Sequence, residues 1–257
     1  MYSRIMSFAV GAGAYDRFMG RYSEPLAPIF ADFAAIAPGL RVLDVGCGPG
    51  ALTAELVRRL GLESVSAVDP SEPFVVAARE RFPAVAVLQA PAEHLPFEDD
   101  TFDACLAQLV VHFMSDPVAG LREMRRVTRP HGVVAACVWD HEGGGGPLSL
   151  FWEAVQQMDP AAEGEGGLAG AREGQLAELF QAAGLGEVVQ GSLSISIEHE
   201  SFEEWWEPYT LGVGPAGAYV AALDSFGQAR LRERCRTMLP PPPFVVSARA
   251  WAARGIT

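Results

Sequence analysis

Asp44-Val45-Gly46-Cys47-Gly48-Pro49-Gly50 places one carboxylate and three glycines within seven residues, between an apolar run from Val42 and a helical run, Ala51 to Leu60. Glycine is needed where the main chain bends sharply or a ligand must reach it, because a Cβ would fill the same space. The helix that follows turns its free amides and the positive end of its dipole toward the loop, which favours an anionic group there. A second acid, Asp69, stands 25 positions after Asp44 at the end of the next apolar run, where a βαβ unit brings its carboxylate beside the first loop. Of the five histidines, His94, His112, His131, His141 and His199, the candidate base is His112, just beyond a fourth apolar run. Asp140 and His141, closing a fifth run, come second. No two histidines have metal-ligand spacing, so no metal site is expected. Cys47, Cys105, Cys137 and Cys235 lack C-x-x-C spacing and read as buried thiols of a reducing compartment.

Two cofactor families use such a loop. Gly46, Gly48 and Ala51 fit the dinucleotide fingerprint G-x-G-x-x-G/A, with Asp69 as the ribose acid, and on that reading the chain is an NAD(P)-dependent oxidoreductase. With Asp44 two residues before the first glycine, the same run resembles the class I S-adenosylmethionine (SAM) methyltransferases. Ala90-Pro91-Ala92-Glu93-His94-Leu95-Pro96-Phe97, followed by Phe102-Asp103, resembles the G-D-A-E-x-L-P-F…F-D pattern of the small-molecule, ubiquinone/menaquinone-type branch. Glu123, Arg126, Val127, Pro130 and Gly132 match that family's E-x-x-R-V-x-x-P-x-G ending. The resemblance covers roughly residues 15 to 140, with one departure: Pro91 stands where the family usually has an aspartate that accepts from the adenine amino group.

The resemblance implies SAM as cofactor, leaving as S-adenosylhomocysteine (SAH), and an EC 2.1.1.- activity on a small, apolar or aromatic acceptor. Asp44 would support the methionine end and Asp69 the ribose, with Gly46, Cys47, Gly48, Gly50 and Pro70 forming the loop around them. Ala92 and Glu93 would border adenine, and Gln108 would reach the methionine portion. Tyr15, Arg21 and Tyr22 belong to a segment that closes over the cofactor, Arg21 facing the methionine carboxylate. Trp139, Trp152, Trp205, Trp206 and Tyr209 are expected to wall the acceptor pocket. In-line displacement from a sulfonium depends mainly on positioning, worth ~7–11 kcal/mol, so few catalytic side chains are expected. A non-catalytic SAM-binding module is a further alternative, because fold does not fix function.

The elements that must position these residues form an α/β, Rossmann-like, seven-stranded and mostly parallel sheet. Its last strands are antiparallel, helices cover both faces, and a helical cap is inserted. One domain over 1–257 is expected, with a core of about 23–140, 173–199 and 244–257, a flexible lid at about 141–170 and a cap at about 201–239. Residues 1 to 14 read as a mobile lead-in. A helix from Ser23 to Ala37 carries Leu26, Ile29, Phe30, Phe33 and Ile36 on one stripe, and Gly143 to Gly146 is a four-glycine run that holds no single conformation cheaply. The strict alternation of Ser192 to Ile197 marks a strand with one wet face, near an edge.

Composition narrows the partners. Hydrophobic residues at 49% and charged residues at 20% describe a folded globular chain. A formal charge of −13 opposes polyphosphate, so nucleic acid is not an expected partner. No apolar run approaches the ~18 residues of a membrane span, and no secretory segment is read at the N-terminus, which makes the cytoplasm the expected location. Oligomeric state is not legible.

Overall fold

The computed structural model describes residues 12–257, so most of the expected lead-in at 1 to 14 lies outside the described residues. The chain begins with α1 (Ala12–Tyr15), a π-helical turn (Asp16–Gly20) and α2 (Arg21–Phe33). It then alternates through β1 (Val42–Val45), α3 (Ala51–Leu60), β2 (Val65–Asp69), α4 (Glu72–Arg81), β3 (Ala86–Gln89), β4 (Phe102–Gln108), α5 (Pro117–Val127) and β5 (Thr128–Trp139). The remainder is α6 (Ser149–Met158), α7 (Gln175–Ala182), β6 (Gly186–His199), α8 (Phe202–Trp206), α9 (Gly214–Ala222), α10 (Ser225–Met238) and β7 (Phe244–Ile256).

The seven strands lie in the order β3-β2-β1-β4-β5-β7-β6. The first five are parallel, and β7 runs antiparallel to both β5 and β6. Seven strands, mostly parallel with the last antiparallel, are what the sequence predicts. The central strands read as continuous apolar runs because both faces are covered. Ala104, Leu106, Ala135 and Cys137 pack toward α2 and α3, while Cys105, Ala107, Val134 and Ala136 pack toward α5 and α7. Edge strand β6 alternates instead, burying Leu193 and Ile195 between exposed serines. Strand order reverses between β1 and β4, so the crevice beyond their carboxyl ends is where an open α/β sheet keeps a ligand.

Three local readings change. Helix α2 runs from Arg21 to Phe33 rather than from Ser23 to Ala37. Part of the expected lid, residues 149 to 158, is helix α6, whose Phe151, Trp152 and Val155 join α8, α9 and α10 in one apolar cap core. The glycine run is wrapped around Asp140: Gly143 N donates to Asp140 Oδ1 at 2.9 Å, and Gly145 and Gly146 N donate to its carbonyl. A Cβ at position 143 or 145 would lie 2.5 Å from that carboxylate. These glycines therefore serve close approach.

Candidate functional site

Beyond β1 the chain turns at Gly46 and Gly50, with φ of +72° and +100°. A Cβ at Gly46 would lie 2.5 Å from both methyls of Val110, and one at Gly50 would lie 2.6 Å from the Phe82 ring. Backbone conformation and crowding thus both require glycine. Asp44, next to last in this strand, is almost fully buried, with Oδ2 accepting from Thr53 Oγ1 of α3 at 2.6 Å and Oδ1 without a partner among the described residues. Burial pushes its pKa up to about 7, against the Thr53 hydrogen bond. Asp69, at the end of β2, accepts from Gly48 N at 2.9 Å and Ser71 N at 2.8 Å, so the second acid does meet the glycine loop. Burial raises it to about 6, partly offset by those two amides.

A small cavity of about 30 Å³ is enclosed by this loop, Asp44, Gln108, Leu109 and the segment carrying Tyr15 and Asp16. Gln108, the last residue of β4, donates through Nε2 to Ser23 O at 3.0 Å, while its Oε1 is buried with no partner among the described residues. The two orphaned atoms of this cavity, Asp44 Oδ1 and Gln108 Oε1, are both acceptors.

Tyr15 and Leu109 also line a second cavity of about 40 Å³, mostly apolar, walled by Phe18, Met19, Phe113 and the 213–216 segment. Leu109 is a buried non-glycine residue at φ +63°, an uncommon backbone state held by Leu109 N donating to Cys137 O at 2.9 Å. His112, Trp139, His141 and Glu165, with the Tyr15 hydroxyl, carry the polar side-chain atoms of this second wall. His112 Nδ1, Trp139 Nε1 and His141 Nε2 are buried with no partner among the described residues, and the two imidazoles lie 5.7 Å apart. Burial, reinforced by His141, lowers the pKa of His112 well below its ordinary value. His141 falls to about 4 for the same reason, against the pull of Asp140. Both rings are neutral. Glu165 accepts from Trp152 Nε1 at 2.8 Å, and burial pushes it up to about 7. His141 and Glu165 in turn border an outer groove of about 880 Å³, into which Glu142, Glu153 and Glu163 also face. Three spaces thus stand in a row.

Other predicted site residues are placed elsewhere. Arg21 Nη1 donates to His199 Nδ1 at 3.1 Å and to Glu204 Oε1 at 3.3 Å. That leaves the His199 Nε2 proton facing Tyr22 Oη at 3.3 Å, so both residues tie α2 to the end of β6, and Arg21 also to α8 of the cap, instead of lining the first cavity. Glu93 Oε1 accepts from Ser115 N at 2.7 Å and Asp116 N at 3.2 Å, and Ala92 is buried against the α5 side of the sheet. Pro70 O accepts from Gln89 Nε2, while Cys47 lines the cavity as a neutral thiol raised by burial. Trp139 lines the second cavity and Trp152 the groove, but Trp205, Trp206 and Tyr209 line neither. They pack among themselves, with Phe151 stacked on Tyr209 at 4.5 Å and Trp205 at 4.8 Å from it, because the cap needs its own core. Asp140 is fully occupied by Gly143 N, Arg249 and Trp251 Nε1. Thr53, Leu109 and Glu165 were not foreseen.

A glycine turn after β1, an acid ending β2 and a cavity at the switch point of a β3-β2-β1-β4-β5-β7-β6 sheet define the fold of class I SAM-dependent methyltransferases. Residues 43–136 match the family described as Methyltransferase domain. It is 39% identical over 135 residues to an uncharacterized methyltransferase of Mycobacterium tuberculosis, covering 52% of each chain. To the malonyl-[acyl-carrier protein] O-methyltransferase of Pectobacterium atrosepticum it is 35% identical over 154 residues, 60% of this chain and 58% of that one. The chain thus spans a little over half the length of the curated relatives it matches. Among solved structures, the Haemonchus contortus phosphoethanolamine N-methyltransferase 2, in complex with phosphomonomethylethanolamine and SAH, shares the fold with a TM-score of 0.58 at 18% identity. That match covers 99% of this chain and 58% of the other.

Proposed function

We propose that the chain is a SAM-dependent methyltransferase acting on a small, largely apolar acceptor. The observation that carries this reading is the pair of cavities that meet at Tyr15 and Leu109, one bounded by the glycine loop and two unpaired acceptors, the other apolar with an imidazole in its wall. The first suits the methionine end of SAM, whose ammonium would give Asp44 Oδ1 and Gln108 Oε1 the donors they lack. Asp69 keeps free lone pairs for a ribose hydroxyl while holding Gly48 and Ser71. When bound, SAM supplies an electrophilic methyl on a sulfonium.

Tyr15 and Leu109 fix where the two contents meet, and orientation there is worth more than acid–base help. On this reading His112 takes the proton from an acceptor that carries one: burial keeps the ring neutral, so a nitrogen is free to accept, at the cost of basicity. At about 30 and 40 Å³ each cavity holds only a few water-sized groups, so filling them requires the segment bearing Tyr15 and Asp16 to move outward. The malonyl-[acyl-carrier protein] relative supports an oxygen-methylating chemistry, while the quinone branch is supported by the Ala90–Phe97 resemblance and by a rice 2-methyl-6-phytyl-1,4-hydroquinone methyltransferase, 39% identical over 101 residues. Calorimetry with SAH and with NAD tests the cofactor. SAH binding in the micromolar range with no NAD binding is expected, and the reverse would replace this reading with an oxidoreductase. SAM turnover over an acceptor panel then separates an enzyme from a binding module.

A further inference from the structure

We infer that the buried pocket takes a neutral hydroxyaryl acceptor with a second oxygen on the adjacent carbon, and that its hydroxyl oxygen receives the methyl. The inference rests on the methyl-transfer reading above and adds the chemistry of the substrate.

Among the described residues, the pocket's three unpaired atoms are ring nitrogens: His112 Nδ1, Trp139 Nε1 and His141 Nε2. His112 and Trp139 are 8% and 2% exposed, so solvent does not serve them. A buried polar group without a partner is costly, and three of them in one small, mostly apolar wall make a site that a matching ligand completes. An indole N–H only donates, so the ligand must bring an acceptor. A neutral imidazole offers one donor and one acceptor nitrogen, so the ligand can present a hydroxyl to one ring and an oxygen lone pair to the other. With the rings 5.7 Å apart, these functions belong on one compact head group rather than at opposite ends of a molecule. Hydrocarbon satisfies none of the three nitrogens. An aromatic amine, whose nitrogen is a poor acceptor, leaves Trp139 unmet. Phe18, Phe113 and the Trp139 ring provide the flat apolar surfaces for the arene.

The charge of the acceptor follows from the groove. The outer groove shares His141 and Glu165 with the pocket, and Glu142, Glu153 and Glu163 line it further out. A carboxylate would face this acidic wall, whereas a neutral phenol is not repelled. In the transfer step the hydroxyl oxygen forms the new O–CH3 bond as the S–CH3 bond breaks. The C–S electron pair leaves with the thioether sulfur, and the hydroxyl proton passes to an imidazole, assigned to His112 Nδ1. Trp139 and His141 touch the neighbouring oxygen and fix which hydroxyl reacts.

The test uses the full chain and four probes of one shape: catechol, o-xylene, o-phenylenediamine and benzoate, each titrated calorimetrically with and without saturating SAH. Catechol is expected to bind at least tenfold more tightly than the other three, one good hydrogen bond being worth about tenfold. Trp139→Phe and His112→Leu should each weaken catechol about tenfold and leave o-xylene unchanged. His112→Asn, which keeps a polar atom near the Nδ1 position, should retain catechol binding and lower kcat about a hundredfold, with the monomethyl ether as the product seen by mass spectrometry. Equal binding of o-xylene, o-phenylenediamine or benzoate overturns the inference, and so does catechol binding that ignores both Trp139→Phe and His112→Leu. Should those variants not fold, the probe ratios on the unaltered chain decide. Absence of SAH binding would sink the methyl-transfer reading, whereas the ratios measured without SAH would still judge the pocket.

Discussion

The glycine-loop cavity and the buried pocket share Tyr15 and Leu109 but differ in how they are made and in what they lack. The first is built by backbone: a glycine turn, amides held by Asp69, and two side-chain oxygens left without donors. The second is built by side chains from distant segments, and its unpaired atoms are nitrogens. An electron-rich cavity beside a nitrogen-lined one sorts two ligands by polarity. On the proposed reading a donor-bearing cation end occupies the former and an oxygen-bearing neutral molecule the latter. A backbone site also fails differently from a side-chain site: adding one methyl breaks the first, whereas truncation only weakens the second.

The largest expected effect follows from that contrast. Gly46→Ala puts a Cβ 2.5 Å from both Val110 methyls at φ +72°, so rotating Val110 exchanges one clash for another. Destabilisation of about 2–4 kcal/mol in chemical denaturation and at least a hundredfold loss of SAH affinity are expected. Adding Val110→Ala should recover part of the stability. Normal SAH binding by Gly46→Ala would mean that this backbone does not shape the cavity.

Side-chain changes in the same cavity should be milder and selective. Asp44→Ala is expected to weaken SAH by about a hundredfold and Gln108→Leu by about tenfold, since the first contact is charge-assisted and the second is not. Neither should alter catechol binding measured without SAH. If both cavities responded equally, the division of labour between them would be lost.

Acidity sharpens the same division. Asp44 and Asp69, raised to about 7 and about 6, keep protons in the folded chain that the unfolded chain releases near pH 4. Their contribution to stability is therefore full below that pH and declines as pH rises through 6 and 7. The melting temperature of the ligand-free chain should fall by several degrees between pH 5 and pH 8. SAH, which favours the ionised carboxylates, should bind more tightly over the same interval and reduce the fall. Asp44→Asn should flatten both curves, and an unchanged slope would show that Asp44 is ionised throughout.

What could be read from the chain divides along the same boundary. The glycine loop, Asp44 and Asp69 were legible because their partners are local or one βαβ unit away, and parallel strand order followed from continuous apolar runs. The second wall was not. Glu163 and Glu165 sit in near-identical Glu-Gly settings, yet only Glu165 is buried, because Trp152 reaches it from α6. No residue type announces Leu109 at positive φ. Arg21 and Tyr22 were assigned to the cofactor by resemblance, but His199, nearly 180 residues away, takes both. Thr53 is a lone polar residue on an apolar helix face, a signal that could have been read as a partner for Asp44.

The cap aromatics give the smallest functional effect and a clean way to separate packing from binding. Trp205 and Trp206 read as pocket walls by composition, but their rings face Phe202 and Tyr209 inside the cap core, and neither cavity touches them. Trp205→Phe should thus lower stability by about 1–2 kcal/mol through lost apolar contact, while the KM for an accepted substrate and the SAH affinity stay within twofold. Trp139→Phe, from the pocket wall itself, provides the contrast: its KM should rise about tenfold because it also removes the indole donor. If Trp205→Phe raised KM as much as Trp139→Phe, the acceptor would have to extend beneath the cap, and the pocket drawn around His112 and Trp139 would be only part of its site.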